Sequence, residues 1–193
     1  TDILAKSEFK VFQSALEAGG VIKCIVAPKS AEMSRKELDA LTEVAKSFGA
    51  KGMPTLAVTG EGVKGSVAKF VSQEEVEALK SKTGAGVGDL IVFATDSRAV
   101  ANKTLGGLRL WFRDKLNLAD KDVMAFAWVV DFPMFAWNEE EKKWDAEHHP
   151  FTMPQLADLD KFATDPGSIL SDAYDMVCNG YETASGSIRI HRR

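Results

Sequence analysis

Two acidic residues, Asp175 and Glu182, flank Asn179-Gly180 in a short stretch of strand-forming residues. Asn-Gly is the preferred central pair of a type I′ turn, because both positions need a positive φ. With these residues at the turn, 178 pairs with 181, 177 with 182 and 175 with 184. Period-two alternation then puts Asp175, Val177, Glu182, Ala184 and Gly186 on one face. The acids become diagonal neighbours, near enough to share a divalent cation. The small residues beside them leave room for a ligand. Tyr174, Met176, Cys178 and Tyr181 point the other way, toward a core. The plain alternative is a surface hairpin whose carboxylates sit in water. Two like charges on one sheet face repel unless something positive lies between them, and that repulsion is the physical lean toward a cation.

His148-His149 is the second candidate. Neighbours on a strand face opposite ways, so at most one of the pair enters a given pocket. Their spacing is not that of a zinc site. A histidine pair before Pro150 is more often a strand end than a ligand set. Arg189 is the third: a guanidinium matches a carboxylate bidentately, although exposed strand arginines are common. Gly84-Ala85-Gly86-Val87-Gly88 resembles a phosphate loop, but it leads into a strand rather than a helix, the wrong way round for an anion site. The sequence shows no nucleophile elbow and no serine, histidine and aspartate set.

The elements that must position these groups are well punctuated. Val21–Ala27 is a β-branched run closed by Pro28, hence a buried strand. Ser34-Arg35-Lys36-Glu37 is a capping box that opens a helix with Leu38, Leu41, Ala45 and Phe48 on one face and Gly49 as its left-handed stop. Thr55–Thr59 and Ser66–Phe70 read as strands across Gly60-Glu61-Gly62. A second box, Ser72 to Glu75, starts a helix through about Lys82. A strand over Asp89–Thr95 and a helix over Ser97–Leu116 follow, the latter with Gly106-Gly107 as a weak point. After Leu116 the character changes. Met124–Phe132 is a near-continuous apolar run, Met134–Trp137 continues extended, and Asn138–Lys143 is a charged turn. Trp144 onward returns as a strand, residues 154–166 hold a short helix inside a loop, and 174–190 form a hairpin with a continuing strand.

The whole reads as α+β: a compact α+β domain over residues 8–116, then antiparallel sheet over 117–193. Of 193 residues, 45% are apolar and 27% charged, so a core forms without disulfides or metal clips. The net charge of −4 argues against a surface that grips nucleic acid all over, while leaving local RNA contacts open. Cys24 and Cys178 read as reduced thiols of a cytosolic protein. No stretch approaches the roughly 18 apolar residues needed to cross a bilayer. Thr1 opens without an initiator methionine and residues 190–193 stop within a strand-like run, so the sequence reads as a piece of a longer protein.

The second half resembles bacterial aspartyl-tRNA synthetases. The resemblance rests on Trp-Val-Val-Asp-Phe-Pro (128–133), His-His-Pro-Phe-Thr (148–152), Ala-Tyr-Asp-Met-Val-Cys-Asn-Gly-Tyr-Glu (173–182) and Gly-Ser-Ile-Arg-Ile-His-Arg (186–192). The first half resembles the insertion module of those enzymes, through Phe9–Phe12, Ser34–Glu37, Gly49–Gly52, Ala68–Phe70, Gly88–Leu90 and Leu105–Arg109. The resemblance implies an insertion domain followed by part of a class II catalytic domain. The parent enzyme would activate aspartate with ATP and magnesium and transfer it to tRNA, as a homodimer. By the same resemblance His148 lies against bound aspartate, Arg189 clamps its side-chain carboxylate, Glu182 contacts ATP, and Asp175 with Glu182 holds magnesium. The anticodon-binding barrel and the ATP-gripping arginine motifs are not found in the sequence, so this piece by itself is expected to be inactive. A related module in subunits of tRNA-dependent amidotransferases gives the alternative, a non-catalytic tRNA- or protein-binding domain. Two departures qualify the match. Thr183-Ala184-Ser185-Gly186 stands where many relatives carry more glycine, and strict alternation puts Arg189 on the face opposite Glu182. Arg189 therefore needs a bulge or bend between 183 and 188, which Gly186 is placed to host.

Overall fold

The computed structural model describes residues 1–191, so Arg192 at the end of the last motif lies outside it. It divides into two units, residues 1–119 and 120–193. Every strand pairing is antiparallel, in keeping with the α+β expectation.

Unit 1 is a four-stranded sheet with helices on both faces. Its strands are β1 (Val21–Ala27), β2 (Thr55–Thr59), β3 (Gly62–Lys64) and β4 (Leu90–Asp96), in the order β1-β4-β2-β3. Its helices are α1 (Lys10–Glu17), α2 (Arg35–Ser47), α3 (Gln73–Thr83) and α4 (Arg98–Lys115). On one face, Leu41 and Ala45 of α2 and Leu105, Leu108 and Phe112 of α4 pack on Ala27, Leu90, Val92 and Ala94. On the other, Phe12 of α1 and Leu79 of α3 pack on Ile22, Leu56, Ile91 and Phe93. The central strand is thus covered on both sides, and its residues 90–94 are all buried.

Both capping boxes form. The Ser34 and Ser72 hydroxyls accept the amides of Glu37 and Glu75, whose carboxylates accept the serine amides in return. Gly49 and Gly84 both adopt positive φ after their helices. The Gly106-Gly107 pair does not interrupt α4. A side chain at 107 would run into the Phe48 ring, with a Cβ only 2.3 Å from it, so glycine there admits a close helix contact. Helix α1 was not foreseen from the sequence.

One expected strand is absent. Residues 66–70 carry a 3-10 turn over Ala68–Phe70, and the partner of β2 is β3, immediately after a tight Gly60-Glu61 turn. Gly65 ends β3 at φ +121°, where a Cβ would fall 2.5 Å from the Thr55 carbonyl oxygen. Ser66 Oγ then accepts the Thr55 amide at 2.9 Å, and Val67 is buried in the second core. The apolar run fills that core from a loop, which satisfies the same hydrophobic pattern as a strand.

Unit 2 holds a three-stranded sheet of β5 (Phe126–Val129), β8 (Ala173–Cys178) and β9 (Tyr181–Ser187), ordered β5-β8-β9. A separate hairpin pairs β6 (Phe135–Asn138) with β7 (Lys143–Ala146). The helix expected within 154–166 is a 3-10 turn at Leu156–Lys161.

Candidate functional site

The β8–β9 hairpin turns at Asn179 (φ 52°) and Gly180 (φ 90°), with Cys178 opposite Tyr181 and Val177 opposite Glu182. Asn179 does more than turn the chain. Its Nδ2 donates to the Val123 carbonyl at 2.9 Å and its Oδ1 accepts the Ala125 amide at 2.8 Å, which pins the turn to the segment leading into β5. Turn preference marks Asn179, but nothing in the sequence signals that clamp.

Beyond Glu182 the register departs from simple alternation. Met176 faces Ala184 and Asp175 faces Ser185, where uniform pairing would set Asp175 opposite Ala184. Thr183 is the extra residue, and its hydroxyl donates to the Met176 carbonyl at 2.9 Å, closing the bulge from within. The bulge therefore sits at Thr183 and not at Gly186. A bulge of one residue flips everything after it to the other face. Ser185 and Ser187 thus join Asp175, Val177 and Glu182, while Ala184 and Gly186 turn to the Tyr174 side. The face beside the two acids is small, as expected, but lined with hydroxyls instead of Ala184 and Gly186.

The same flip bears on Arg189. The strand β9 ends at Ser187, where the Ile188 amide donates to the Asp172 carbonyl at 2.9 Å while the Asp172 amide turns to Met153; were the alternation carried through this junction, Arg189 would have the parity of Ser185 and Ser187. Asp175 and Glu182 share one side of the ribbon, and that parity would bring Arg189 to the same side. A second chain segment supports the end of this run: Thr152 bridges Arg189, the Met153 amide donates to the Ile188 carbonyl at 2.8 Å, and the Ile190 amide to that of Phe151 at 2.9 Å. Asp175 is half-buried, whereas Glu182 and Arg189 are exposed. Arg189 forms no ion pair among the described residues, so its guanidinium is free to meet a carboxylate from outside.

The opposite face does not pack on a core as expected. Gly186 lies under the Tyr174 ring, where a Cβ would come within 2.6 Å of the hydroxyl, and Trp128 meets Tyr174 edge-on with centroids 5.7 Å apart. Yet Trp128 is 63% and Tyr181 78% exposed. The sheet carries aromatic groups on a side that stays largely exposed among the described residues.

His148 lines a separate apolar cavity of about 550 Å³ with Thr152, Met153, Phe135 and Phe162, and its ring rests 4.9 Å from that of Phe132. Asp175, Glu182 and Arg189 do not line that cavity. His149 lines the same cavity, against the expectation that only one of the pair would enter a given pocket, because the pair lies in a loop and not in an alternating strand; its Nδ1 accepts the Phe151 amide at 3.2 Å. The loop is tied to the end of β5 by Gln155, whose Nε2 donates to Asp131 Oδ1 at 2.8 Å. The described residues hold no cluster of three or more His, Cys, Asp or Glu side chains suited to a closed metal cage. Two carboxylates on one sheet face are instead the number that magnesium commonly takes from protein, with water and substrate phosphates completing its shell.

Residues 12–105 match the GAD domain family. The full chain aligns with an aspartate–tRNA(Asp/Asn) ligase of Rubrobacter xylanophilus at 48% identity over 192 residues, 100% of this chain and 32% of the relative. The corresponding ligase of Geotalea uraniireducens is 45% identical over 192 residues, again 100% of this chain and 32% of the relative. The aspartate–tRNA ligase of a Clostridium botulinum strain is 44% identical over 191 residues, 99% of this chain and 32% of the relative. The chain is homologous to a segment of bacterial aspartate–tRNA ligases and contains a GAD domain. It spans about a third of the length of these curated ligases. The GAD match falls wholly within unit 1, so all four candidate site residues lie beyond it in the ligase-like remainder. No helix among the described residues is long and apolar enough to cross a membrane.

Proposed function

We propose that this chain contributes part of the amino-acid and nucleotide site of an aspartate–tRNA ligase, with residues 117–193 belonging to a class II catalytic domain. The Thr183 bulge is the observation that best supports this reading, because it supplies the change of parity that Arg189 needs to join the side of Asp175 and Glu182. On this reading Arg189 clamps the aspartate carboxylate bidentately, and His148 borders the amino acid from the neighbouring loop. Glu182 contacts ATP, and Asp175 with Glu182 would hold magnesium, which neutralises phosphate charge when bound. The half-buried position of Asp175 fixes one carboxylate, while the exposed Glu182 leaves the other able to follow the nucleotide. tRNA, aspartate and ATP are the partners, and the full-length enzyme works as a cytoplasmic homodimer.

The chain alone is inactive on this reading and behaves as a GAD-containing binding module, since it spans only 32% of its relatives. ATP–pyrophosphate exchange with aspartate tests both halves. Exchange is expected from a protein extended to the relatives' full length and absent from residues 1–193. In the extended protein, Arg189→Ala should raise the KM for aspartate at least about 30-fold, the loss expected when a buried charge pair loses one partner. The KM for ATP should change little. Equal loss for both substrates would remove Arg189 from the clamp, and exchange by the short chain would show it to be self-sufficient.

A further inference from the structure

The most distinctive unassigned feature is the outer edge of β1. Among the described residues this strand pairs only with β4, so one side of a seven-residue, mainly apolar strand has no neighbouring strand there. Thr1 shows what that edge accepts: its Oγ1 donates to the Ile22 carbonyl and accepts the Ile22 amide, both at 3.1 Å. Ile22 therefore points its backbone groups outward. In an antiparallel ladder every second residue does the same, so Cys24 and Val26 also turn their amides and carbonyls to the open side. The pairing of β4 agrees, because Phe93, which faces Cys24, gives its amide to Pro54 on the opposite side at 2.9 Å.

This edge forms the floor of an open, mainly apolar cavity of about 670 Å³. Leu79 and Lys82 of α3 line one wall and Arg109 and Phe112 of α4 the other. Lys82 and Arg109 are exposed and form no ion pair among the described residues, so each wall carries a free cation. Lys23 adds a third positive charge on the strand, against Asp2 as the one acid in the lining. Unpaired amides at a two-residue repeat call for an extended backbone, which natural edges otherwise block with charge, proline or a covering loop.

We propose that the β1 edge is a docking groove for an extended segment of a partner protein, with alternating acidic and apolar residues, added as a fifth strand of the GAD-domain sheet. Main-chain pairing at Cys24 and Val26 gives the register; period-two alternation turns the acids to the α4 side, toward Arg109 and Lys23, and the apolar side chains to the α3 side, beside Leu79. A second copy of this chain is the poorer occupant, since it would bring the same three cations against themselves. The inference is independent of the ligase reading, because it concerns unit 1 alone.

The test uses the whole chain and the peptide acetyl-Glu-Val-Asp-Val-Glu-Val-Asp-amide, followed by amide NMR and hydrogen exchange. Binding should saturate below about 1 mM, the range of weak peptide recognition. Exchange at Cys24 and Val26 should slow at least about tenfold, and the lysine counterpart of the peptide should not bind. Charge reversal at Arg109→Glu should weaken binding at least about tenfold, whereas Lys82→Glu on the opposite wall should change it little, effects these exposed positions allow without unfolding. Two peptides N-methylated at alternate residues separate strand addition from mere charge attraction with the protein unaltered: only one of them should bind. Equal binding by both would overturn the proposal, as would no change at Cys24 and Val26. Protection of the same amides without peptide, by self-association or by upstream residues of a protein of the relatives' full length, would overturn it as well.

Discussion

The two sheets of this protein are opposites in how they are covered. In unit 1 the central strand β4 has helices on both faces, and two separate apolar clusters fill the space on either side. In unit 2 the edge strand β5 is exposed along its whole length, although its sequence, Phe-Ala-Trp-Val, is as apolar as that of β4. Burial of apolar area is the dominant favourable term in folding, so the same composition does very different work in the two places. The first sheet has a filled core on each face. The second is held by backbone ladders, by the Asn179 clamp and by loops, and among the described residues its aromatic face stays exposed.

The sharpest way to break that comparison is to remove one large apolar side chain from each sheet. Phe93→Ala should cost unit 1 about 3–5 kcal/mol, because Phe93 is 1% exposed and packs on Phe12 with centroids 5.5 Å apart. Trp128→Ala should cost unit 2 less than about 1 kcal/mol despite deleting a larger group, since that indole is mostly in water and loses only its edge contact with Tyr174. Hydrogen exchange of the β4 and β8 amides reads the two units separately. A larger loss from the tryptophan change would mean that the aromatic side of the second sheet is covered in solution.

A smaller effect sharpens the account of how unit 1 closes. Gly106 and Gly107 are neighbours in α4, but nothing lies within 4 Å of a Cβ at 106, while the Phe48 ring blocks one at 107. Alanine normally stabilises a helix interior over glycine, so Gly106→Ala should add about 0.5–1 kcal/mol. Gly107→Ala should instead lose about 1–3 kcal/mol, because the half-buried Phe48 must leave its place against α4. Urea midpoints of the two variants should move in opposite directions. Movement in the same direction would mean that the α2–α4 contact yields freely.

These contrasts explain what could be read from the sequence. Ser34 to Glu37 and Ser72 to Glu75 announced two helices because capping is local chemistry, settled within a single turn. Val21–Ala27 announced a strand because its burial requires only its own residues to be apolar. The run 66–70 misled because burial of Val67 does not reveal whether a strand or a loop delivers it, and Gly65, which ends β3, acts through a carbonyl ten residues back. At the candidate site, Asn179-Gly180 fixed the turn and the first two pairs correctly. The bulge at Thr183 was demanded by the role assigned to Arg189, but its position depends on a hydroxyl reaching the Met176 carbonyl across the ladder. Such a contact leaves no pattern in a single strand.

The smallest expected effect concerns acid, and it also falls unequally on the two units. Asp158 is the one buried acid among the described residues. Its carboxyl is held below the ordinary aspartate range, first by the hydrogen bond from Lys161 Nζ at 2.6 Å and then by the Leu170 amide at 3.0 Å. A lowered folded-state value means that the carboxylate stabilises unit 2 fully above the unfolded aspartate value of about 3.9. The contribution is lost as pH falls from there through the lower folded value. In unit 1 the comparable group is Glu37, lowered chiefly by the Ser34 amide, but it lies on the surface at the start of α2. Acid there frays one helix end over an intact core. In unit 2 it removes the link between the 3-10 turn at 156–161 and the strand-like run at 169–171. The Leu170 amide resonance, followed by NMR, should therefore titrate with a midpoint below about 3.9, and Asp158→Asn should abolish the transition. A midpoint above the ordinary aspartate value would mean that burial outweighs the two hydrogen bonds, and would reverse the sign of the pH dependence.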